Sequence, residues 1–363
     1  MVTALIFIAI LVFLIVTHEF GHFLAAKIFG VRVEEFGVGY PPRAFSFGTW
    51  GGTEYTLNWI PFGGFVRLFG EEADAKGKGS FAAAARWKQA LILIAGVTVN
   101  ALTAWMLFAG ALHAGIPRVV DSTLPLDPSA RLVVSSVVSG SPAAAAGISA
   151  GDTITNLSDD AGAVLTTVNP DTVSTFVRAR GGKRITIVYT HGASSTSASV
   201  IPANAVLPGS AATPALGVGL VEVSNVSLPW GQALREGLSN TRDAFVTVAS
   251  SLWQLAKSAV HGNARLQDVV GPVGLVSVVG EAARNGLGDV LALAGFIAVN
   301  LAIINLIPIP AFDGGRLVVV LFEVVARRSA PQFAIQIINT VGIALTIILM
   351  LVVTYHDIAR LLT

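Results

Sequence analysis

The chain begins with an apolar stretch whose residues 4–28 read ALIFIAILVFLIVTHEFGHFLAAKI. This stretch is long enough to cross a membrane as a helix. His18 and His22 lie four residues apart within it, so both imidazoles occupy one helix face and can point at one position. That spacing is typical of two zinc ligands, with Glu19 as the general base for a zinc-bound water. A chance match is the weaker explanation, because ionisable groups inside a membrane segment are costly without partners or a task.

The composition predicts an integral membrane protein. Of the 363 residues, 53% are hydrophobic and only 12% are charged, and the mean hydropathy is +0.71. The charged fraction is about half of that in soluble proteins. A formal net charge of +1 provides no basic excess to neutralise phosphates, which argues against nucleic acid as a partner. The chain has no cysteine, so disulfides and cysteine-based metal sites are excluded.

The distribution of basic residues predicts the direction in which the first span crosses. No Lys or Arg precedes the apolar run, and no small-residue cleavage site marks it as a secretory signal peptide. By the positive-inside rule, the N-terminus faces outward and residues 29–88 face the cytoplasm. The zinc motif therefore lies toward the cytoplasmic end of its helix. Eight basic residues follow the motif before the next apolar run: Lys27, Arg32, Arg43, Arg67, Lys76, Lys78, Arg86 and Lys88.

Three further segments are predicted to cross the membrane, at residues 90–112, 290–309 and 333–355. Residues 228–260 are partly apolar but carry charges, and we interpret them as an amphipathic helix lying on the membrane surface. Within the second span, Gly96 and Asn100 lie about one turn apart, and helix–helix packing is their expected role.

Two extramembrane regions have different compositions. Residues 29–70 are rich in Gly and aromatic residues, and short alternating runs separated by Gly51-Gly52 and Gly63-Gly64 predict β-hairpins on the cytoplasmic side. Such strands either offer an edge to an extended peptide or are ordinary hairpins. Residues 118–223 predict one small α+β domain, with strands at 131–138 and 183–190 and a helix at 171–180. The order of its elements, with SPAAAAGI at 141–148, resembles a PDZ domain of the type attached to bacterial proteases.

A catalytic zinc normally has three protein ligands and one open position, so His18 and His22 need a third partner. Asp313 is the acid that fits, because it follows the span at 290–309 at its cytoplasmic end. With four crossings, Asp313 lies on the same side of the membrane as the two histidines. A further crossing by residues 244–260 would place it on the opposite side, so the metal chemistry and the span count support each other. The remaining histidines lie in soluble or surface segments or at the far ends of spans: His113, His191, His261 and His356.

Four motifs together resemble the site-2 protease family of intramembrane zinc metalloproteases, in particular its bacterial regulator of sigma-E protease type. They are HEFGH at 18–22, GVTVN at 96–100, GPVG at 271–274 and NLIPIPAFDGG at 305–315. The chain departs from the family at Val97, where Pro is frequent, and in having one PDZ-like domain where some relatives have two.

The resemblance implies a role for each site residue. His18, His22 and Asp313 would bind Zn²⁺, and Glu19 would be the catalytic base. Asn305 would hold the substrate backbone or stabilise the oxyanion, although a helix–helix hydrogen bond is the alternative for this residue. The hairpins at 45–69, which include the substrate-binding candidates Gly64 and Phe65, would present the substrate as an added strand.

We therefore predict a polytopic α-helical membrane protein with four transmembrane helices, membrane-associated β-hairpins and one inserted PDZ-like domain. The predicted divisions are a membrane core at 1–117, an extracytoplasmic PDZ-like domain at 118–223, a surface helix and GPVG linker at 224–289, and a second membrane core at 290–363. The resemblance places the protein in the bacterial plasma membrane.

The predicted function is a zinc endopeptidase that cuts transmembrane segments of single-span proteins in regulated intramembrane proteolysis. Anti-sigma factors and remnant signal peptides are both open as substrates, and the PDZ-like domain either filters substrates by size or binds a trimmed C-terminus. Two other classes compete with this prediction: an inactive scaffold working through the PDZ-like domain, and a membrane metal transporter. Intact Glu19 disfavours the first, and the clustering of ionisable groups near one membrane face disfavours the second.

Overall fold

The computed structural model describes residues 2–71, 77–119, 130–191, 194–204, 206, 213–262, 271–310, 312–328 and 331–362. The chain forms two compact units. Met1–Ala114 together with Leu228–Thr363 is the first, called here the membrane unit, and Gly115–Ser227 is the second, called here the inserted unit. Lys76 of the predicted basic segment and Ala311 of the Asp313 motif lie outside the described residues.

The described elements are nine helices and eight strands. The helices are α1 (Val2–Ile28), α2 (Arg86–Ala114), α3 (Pro142–Ala145), α4 (Pro170–Arg178), α5 (Trp230–Val260), α6 (Pro272–Asn285), α7 (Leu287–Leu306), α8 (Asp313–Ala326) and α9 (Gln332–Leu362). The strands are β1 (Val33–Trp50), β2 (Thr53–Leu68), β3 (Ile116–Val119), β4 (Arg131–Val137), β5 (Thr153–Asp159), β6 (Ile185–His191), β7 (Ser194–Val200) and β8 (Val218–Val226).

Three helices of the described chain, α1, α2 and α7, are long and apolar enough to cross a membrane. Their buried side chains form one cluster with α5 and α6, which includes Phe7, Leu14, Phe108, Val248 and Ile297. The predicted crossing at 333–355 falls on α9, which is not one of the three, so the count of four spans stays a prediction.

The helix α5 packs closely against α2. A Cβ atom at Gly237 would lie 2.8 Å from the backbone N of Ala109, so the two helix backbones nearly touch at this glycine. Trp105 donates its indole N–H to the backbone O of Leu234 at 2.8 Å. Residues 228–260 were predicted not to cross the membrane. Consistent with this prediction, α5 is not among the described helices that are long and apolar enough to cross.

The prolines after α7 position Asp313. The helix ends at Leu306, Pro308 and Pro310 follow within the next turn, and α8 begins at Asp313. At Gly314 a Cβ atom would overlap the carbonyl O of Leu306 and of Ile307, so only glycine allows this close return of the chain. The sequence predicted a span ending at residue 309, close to the observed end at Leu306, but not the helix α8 that follows.

The β-hairpin of the membrane unit folds back on itself. Residues 35–38 of β1 pair with residues 64–67 of β2 on one side and with residues 54–57 on the other. The turn is made by Gly51 and Gly52, as predicted, whereas Gly63-Gly64 lies inside β2 and not between two hairpins. Residues 64–68 have strand partners on one side only among the described residues.

A buried carboxylate holds the hairpin register. Glu35 is only 5% exposed. It pairs with Arg67 at 2.9 Å and Arg43 at 3.2 Å, and it accepts a hydrogen bond from Thr56 at 2.7 Å. Because a buried carboxylate is costly without partners, these contacts favour one register of the folded strands.

The inserted unit is a six-stranded sheet in the order β3-β8-β4-β5-β6-β7, with antiparallel neighbours. Its core joins the strands to the buried face of α4, where Val173, Phe176 and Val177 follow helical spacing. The predicted strands at 131–138 and 183–190 correspond to β4 and β6, and the predicted helix at 171–180 corresponds to α4.

Candidate metal centre

Two histidines and one aspartate meet inside the membrane unit. The Nε2 atoms of His18 and His22 lie 3.1 Å apart, and the Oδ2 atom of Asp313 lies 3.0 Å from the first and 3.1 Å from the second. The histidines come from one face of α1, and the aspartate comes from the first residue of α8, 295 positions away from His18. The predicted ligand set is therefore one cluster in space.

The cluster fits a zinc ion. In a tetrahedral site with ligand bonds of about 2.0–2.1 Å, two ligand atoms are about 3.3 Å apart, close to the observed separations. The two imidazole planes are inclined by 81°, so the nitrogens approach a common point from different directions. Two histidines and one carboxylate are also a donor set of catalytic zinc, in which the fourth position is left for water or substrate.

The second helix holds both rings. His22 donates its Nδ1–H to the backbone O of Ile92 at 2.8 Å, which leaves the lone pair of its Nε2 facing the cluster. One turn further along α2, a Cβ atom at Gly96 would lie 2.7 Å from Cε1 of His18 and would overlap Nε2 of His22. Gly96 thus gives both imidazoles the space that they occupy.

The two helices approach each other at glycines on both sides. A Cβ atom at Gly21 would lie 2.6 Å from the backbone O of Ala95. Since a side chain at either Gly21 or Gly96 would separate α1 from α2, the cluster depends on a close helix crossing. The sequence analysis assigned Gly96 only to packing.

Glu19 lies beside the cluster without belonging to it. Its neighbours on α1 are the two metal-ligating candidates, and its side chain lies against the hairpin, where a Cβ atom at Gly64 would be 3.3 Å from its Cγ. Partial burial, and to a smaller extent the charge of Glu19, raises the pKa of Tyr40 in β1 above its usual value. A carboxylate in this position can accept a proton from a water bound at the open position.

The remaining predicted site residues lie at different distances from the cluster. The Nδ2 atom of Asn305 on α7 is 3.4 Å from Nε2 of His18, so its amide reaches the cluster itself. Gly64 lies against the side chain of Glu19, as described above. The ring of Phe65 packs on Gly37 of β1, and the guanidinium of Arg67 lies 5.6 Å from its centroid.

Several contacts around the site had no signal in the sequence analysis. Arg316 of α8 forms an ion pair with Glu71, and Glu323 of α8 pairs with Arg86 of α2 at 2.9 Å. These pairs connect α8, and with it Asp313, to the segment that follows the hairpin and to the start of α2. The sequence shows that these residues are charged, but their pairing depends on distances that it does not contain.

Known proteins are similar to this chain over nearly its whole length. The model of "Peptidase family M50" matches residues 6–349. A protein of Clostridium perfringens (strain 13 / Type A) named "Putative zinc metalloprotease" is 33% identical over 347 residues, which are 95% of each chain. "Zinc metalloprotease RasP" of Shouchella clausii is 26% identical in an alignment of 443 positions, gaps included, that covers 99% of each chain. A "Putative zinc metalloprotease" of Helicobacter pylori is 27% identical and covers 98% of this chain and 99% of its own.

Proposed function

Because the chain belongs to peptidase family M50, we propose that it cuts the transmembrane segments of single-span membrane proteins as an intramembrane zinc endopeptidase. Its class, a membrane zinc metalloprotease, follows from the family and from relatives that match nearly the whole chain. The observation that carries the proposal is the meeting of three side chains within 3.0–3.1 Å: His18 and His22 from α1, which is long enough to span a membrane, and Asp313 from α8.

Each residue of the site has a chemical task in this proposal. His18, His22 and Asp313 hold the zinc, which when bound lowers the pKa of its water to about 7 and polarises the scissile carbonyl. Glu19 would accept the proton of the attacking water and pass it to the leaving amine. The amide N–H of Asn305, on the side of His18, donates to the carbonyl oxygen as negative charge develops there.

The hairpin supplies the means of holding the substrate. A helical substrate must unwind before cleavage, and its freed backbone groups need partners in a medium without water. Among the described residues, residues 64–68 have strand partners on one side only, and Gly64 at their start lies against Glu19. We infer that the substrate pairs with this edge as an added strand, with Gly64 and Phe65 nearest the scissile bond.

The proposed topology has four spans, with the N-terminus and the inserted unit outside a bacterial plasma membrane. It rests on the basic residues after α1 and on the shared side that it gives to His18 and Asp313. Since the chain has no native cysteine, single cysteines can be labelled without background. In intact cells, cysteines at the exposed positions Lys78 and Arg327 should be protected from an impermeant reagent, and a cysteine at the exposed position Ser195 should react. Labelling at Arg327 from outside would overturn this topology.

The inserted unit is proposed to be a PDZ-like domain that selects substrates. Its antiparallel sheet with the helices α3 and α4 is compatible with that fold. Two modes of selection are open: exclusion of substrates with bulky external parts, and capture of a newly trimmed C-terminus. The scaffold and transporter alternatives are not favoured, because the complete ligand set and Glu19 supply what a protease needs.

The function is tested by separating zinc binding from proteolysis. Glu19→Gln should retain about one zinc per chain yet lose cleavage of a membrane substrate by about 10²–10⁴-fold, since only the base is removed. His18→Ala and Asp313→Ala should lose the zinc as well. Glu281→Gln, the same change at an exposed residue of α6, is the matched control and should leave both properties unchanged.

Near-normal cleavage by Glu19→Gln would refute the assigned mechanism. The same variant addresses the substrate, because uncut membrane stubs should accumulate in cells that carry it. Proteomics of those stubs would distinguish anti-sigma factors from remnant signal peptides.

A further inference from the structure

One side chain of α2, for which only a packing role was expected, contacts His18 of the metal centre. Asn100 is completely buried. Its Nδ2 atom lies 3.2 Å from Nδ1 of His18, on the side of the ring that faces away from the cluster. Its Oδ1 atom is buried without a hydrogen-bond partner among the residues that the structure describes.

Asn100 completes a regular pattern on α2. Ile92, Gly96 and Asn100 follow one another at intervals of four residues, so they lie on one face of the helix. The backbone O of Ile92 accepts the Nδ1–H of His22, and Gly96 makes room for both rings. Asn100 and the backbone O of Ile92 make equivalent contacts. Asn100 contacts Nδ1 of His18, and the O of Ile92 contacts Nδ1 of His22, while the Nε2 atoms of both rings face the cluster.

The chemistry of imidazole decides which end of the amide is required. A neutral histidine that offers Nε2 to a metal carries its proton on Nδ1, and that N–H needs an acceptor. The two ends of a carboxamide have nearly the same shape, so a half-turn of the Asn100 amide places Oδ1 where Nδ2 lies. With Nδ2 facing His18, the proton of this ring belongs on Nε2, which lies 3.0 Å from Oδ2 of Asp313. The orientation of the amide and the tautomer of His18 are therefore coupled.

We propose that Asn100 is a positioning residue of the metal centre, whose amide oxygen accepts the Nδ1–H of His18 and holds this ring in the tautomer that binds zinc. The inference rests on the proposed zinc site. It assigns chemistry to a residue for which helix packing was the expected role. A packing role alone would require an interhelical hydrogen bond of either direction, whereas this role requires an acceptor.

Three variants of the full-length, detergent-purified chain test the proposal. Asn100→Leu keeps the size but removes the acceptor, and its zinc dissociation constant should rise about 10–100-fold, as for other partners of metal-bound histidines. Asn100→Asp keeps an acceptor of the same shape and should stay within about threefold of the parent chain. Asn300→Leu is the matched control on α7, where the amide donates to the backbone O of Phe296 at 2.8 Å; its zinc affinity should not change.

The readouts are chelator competition for zinc, the visible spectrum of the cobalt-substituted protein, and thermal unfolding. An altered cobalt spectrum for Asn100→Leu with a parental spectrum for Asn100→Asp supports the proposal. Parental zinc affinity in Asn100→Leu overturns it. If Asn100→Leu does not fold, Asn100→Asp decides: a folded Asp variant that binds zinc poorly means that a donor is required, which also overturns it. Failure of the parent chain itself to bind zinc would instead refute the proposed function.

Discussion

The two units of the chain use their buried polar side chains differently. In the inserted unit, Ser141 caps α3, and Asp152 accepts hydrogen bonds from the backbone N of Ser149 at 2.9 Å and from His191 at 2.6 Å. These groups stabilise the turns and strand ends where they lie. In the membrane unit, the buried polar groups of α1, α2 and α8 converge on one position from distant parts of the sequence.

The difference shows where the chemistry lies. Water can satisfy a polar group at the rim of a soluble unit, whereas a polar group among membrane helices has only protein partners. Convergence in that setting is therefore evidence of a task. Burial alone does not indicate a catalytic task. Glu35 is also buried, but its carboxylate is paired with Arg43 and Arg67 and accepts a hydrogen bond from Thr56, so its role is structural.

The largest expected effect comes from Gly96, the glycine of α2 that leaves space for the two histidines. Gly96→Ala should abolish zinc binding, since its Cβ would overlap one imidazole and press on the other. Displacement of a catalytic group by about 1 Å can cost about 10²-fold in rate, and here both ligands must move. Zinc content and cleavage should fall together.

Gly110→Ala is the matched control on the same helix, because its Cβ would make an ordinary contact 3.5 Å from Cδ1 of Leu291. It should leave zinc and cleavage unchanged. If Gly96→Ala still binds one zinc per chain, α1 and α2 can move apart without loss of the site. The close crossing of these helices would then not be required for zinc binding.

The next effect separates binding of zinc from stabilisation of charge. Asn305→Ala should reduce cleavage by about 10²–10³-fold, the typical loss of one oxyanion donor. Zinc affinity and thermal stability should stay near those of the parent chain, because the amide is not one of the three clustered ligands. Unchanged cleavage with a lower unfolding temperature would assign Asn305 to helix packing.

Replacement of the inserted unit tests directly whether the membrane unit alone holds the chemistry of the site. The membrane unit can be closed by a short flexible linker between Ala114 and Leu228, because the backbone N of Leu228 donates to the O of Leu112 at 2.8 Å. If this unit holds the complete chemistry, the shortened chain should bind zinc and cut a trimmed substrate.

The two modes of selection predict different substrate ranges for the shortened chain. Under exclusion by size, substrates with bulky external domains become cleavable and trimmed ones stay so. Under capture of a C-terminus, trimmed substrates are cut more slowly and untrimmed ones remain uncut. Unchanged behaviour toward both would leave the unit as a spacer, and loss of zinc would show that the two units are not chemically separate.

The sequence predicted the parts of the site whose signal is local. His18, Glu19 and His22 form a short helical pattern in an apolar run, and Asp313 followed from the direction of the spans. In the structure, the three ligand candidates form one cluster. The caps and strands of the inserted unit were also accessible, because Ser141 and alternating residues signal them locally.

What the sequence did not predict depends on contacts between distant segments. Residues 35–38 pair with two segments of β2, and this double pairing depends on how the hairpin folds back. The start of α8 depends on the close contact of Gly314 with the end of α7. Asn100 was assigned to packing because one Asn on a span carries no sign of its partner. Its relation to His18, 82 positions away, appears only in three dimensions.

The smallest expected effect tests whether polar groups of the inserted unit act only locally. Asn169 caps α4: its side chain accepts the backbone N–H of Thr172 at 2.8 Å, and the hydroxyl of Thr172 accepts the backbone N–H of Asn169 at 3.0 Å. Asn169→Ala should lower the stability of the inserted unit by about 1 kcal/mol. Asn225→Ala, at an exposed position of β8, is the control and should change stability little. Neither variant should alter zinc affinity, because the zinc ligands belong to the other unit. A weaker zinc site in Asn169→Ala would show that the inserted unit supports the metal centre, and the contrast between local and convergent polar groups would then fail.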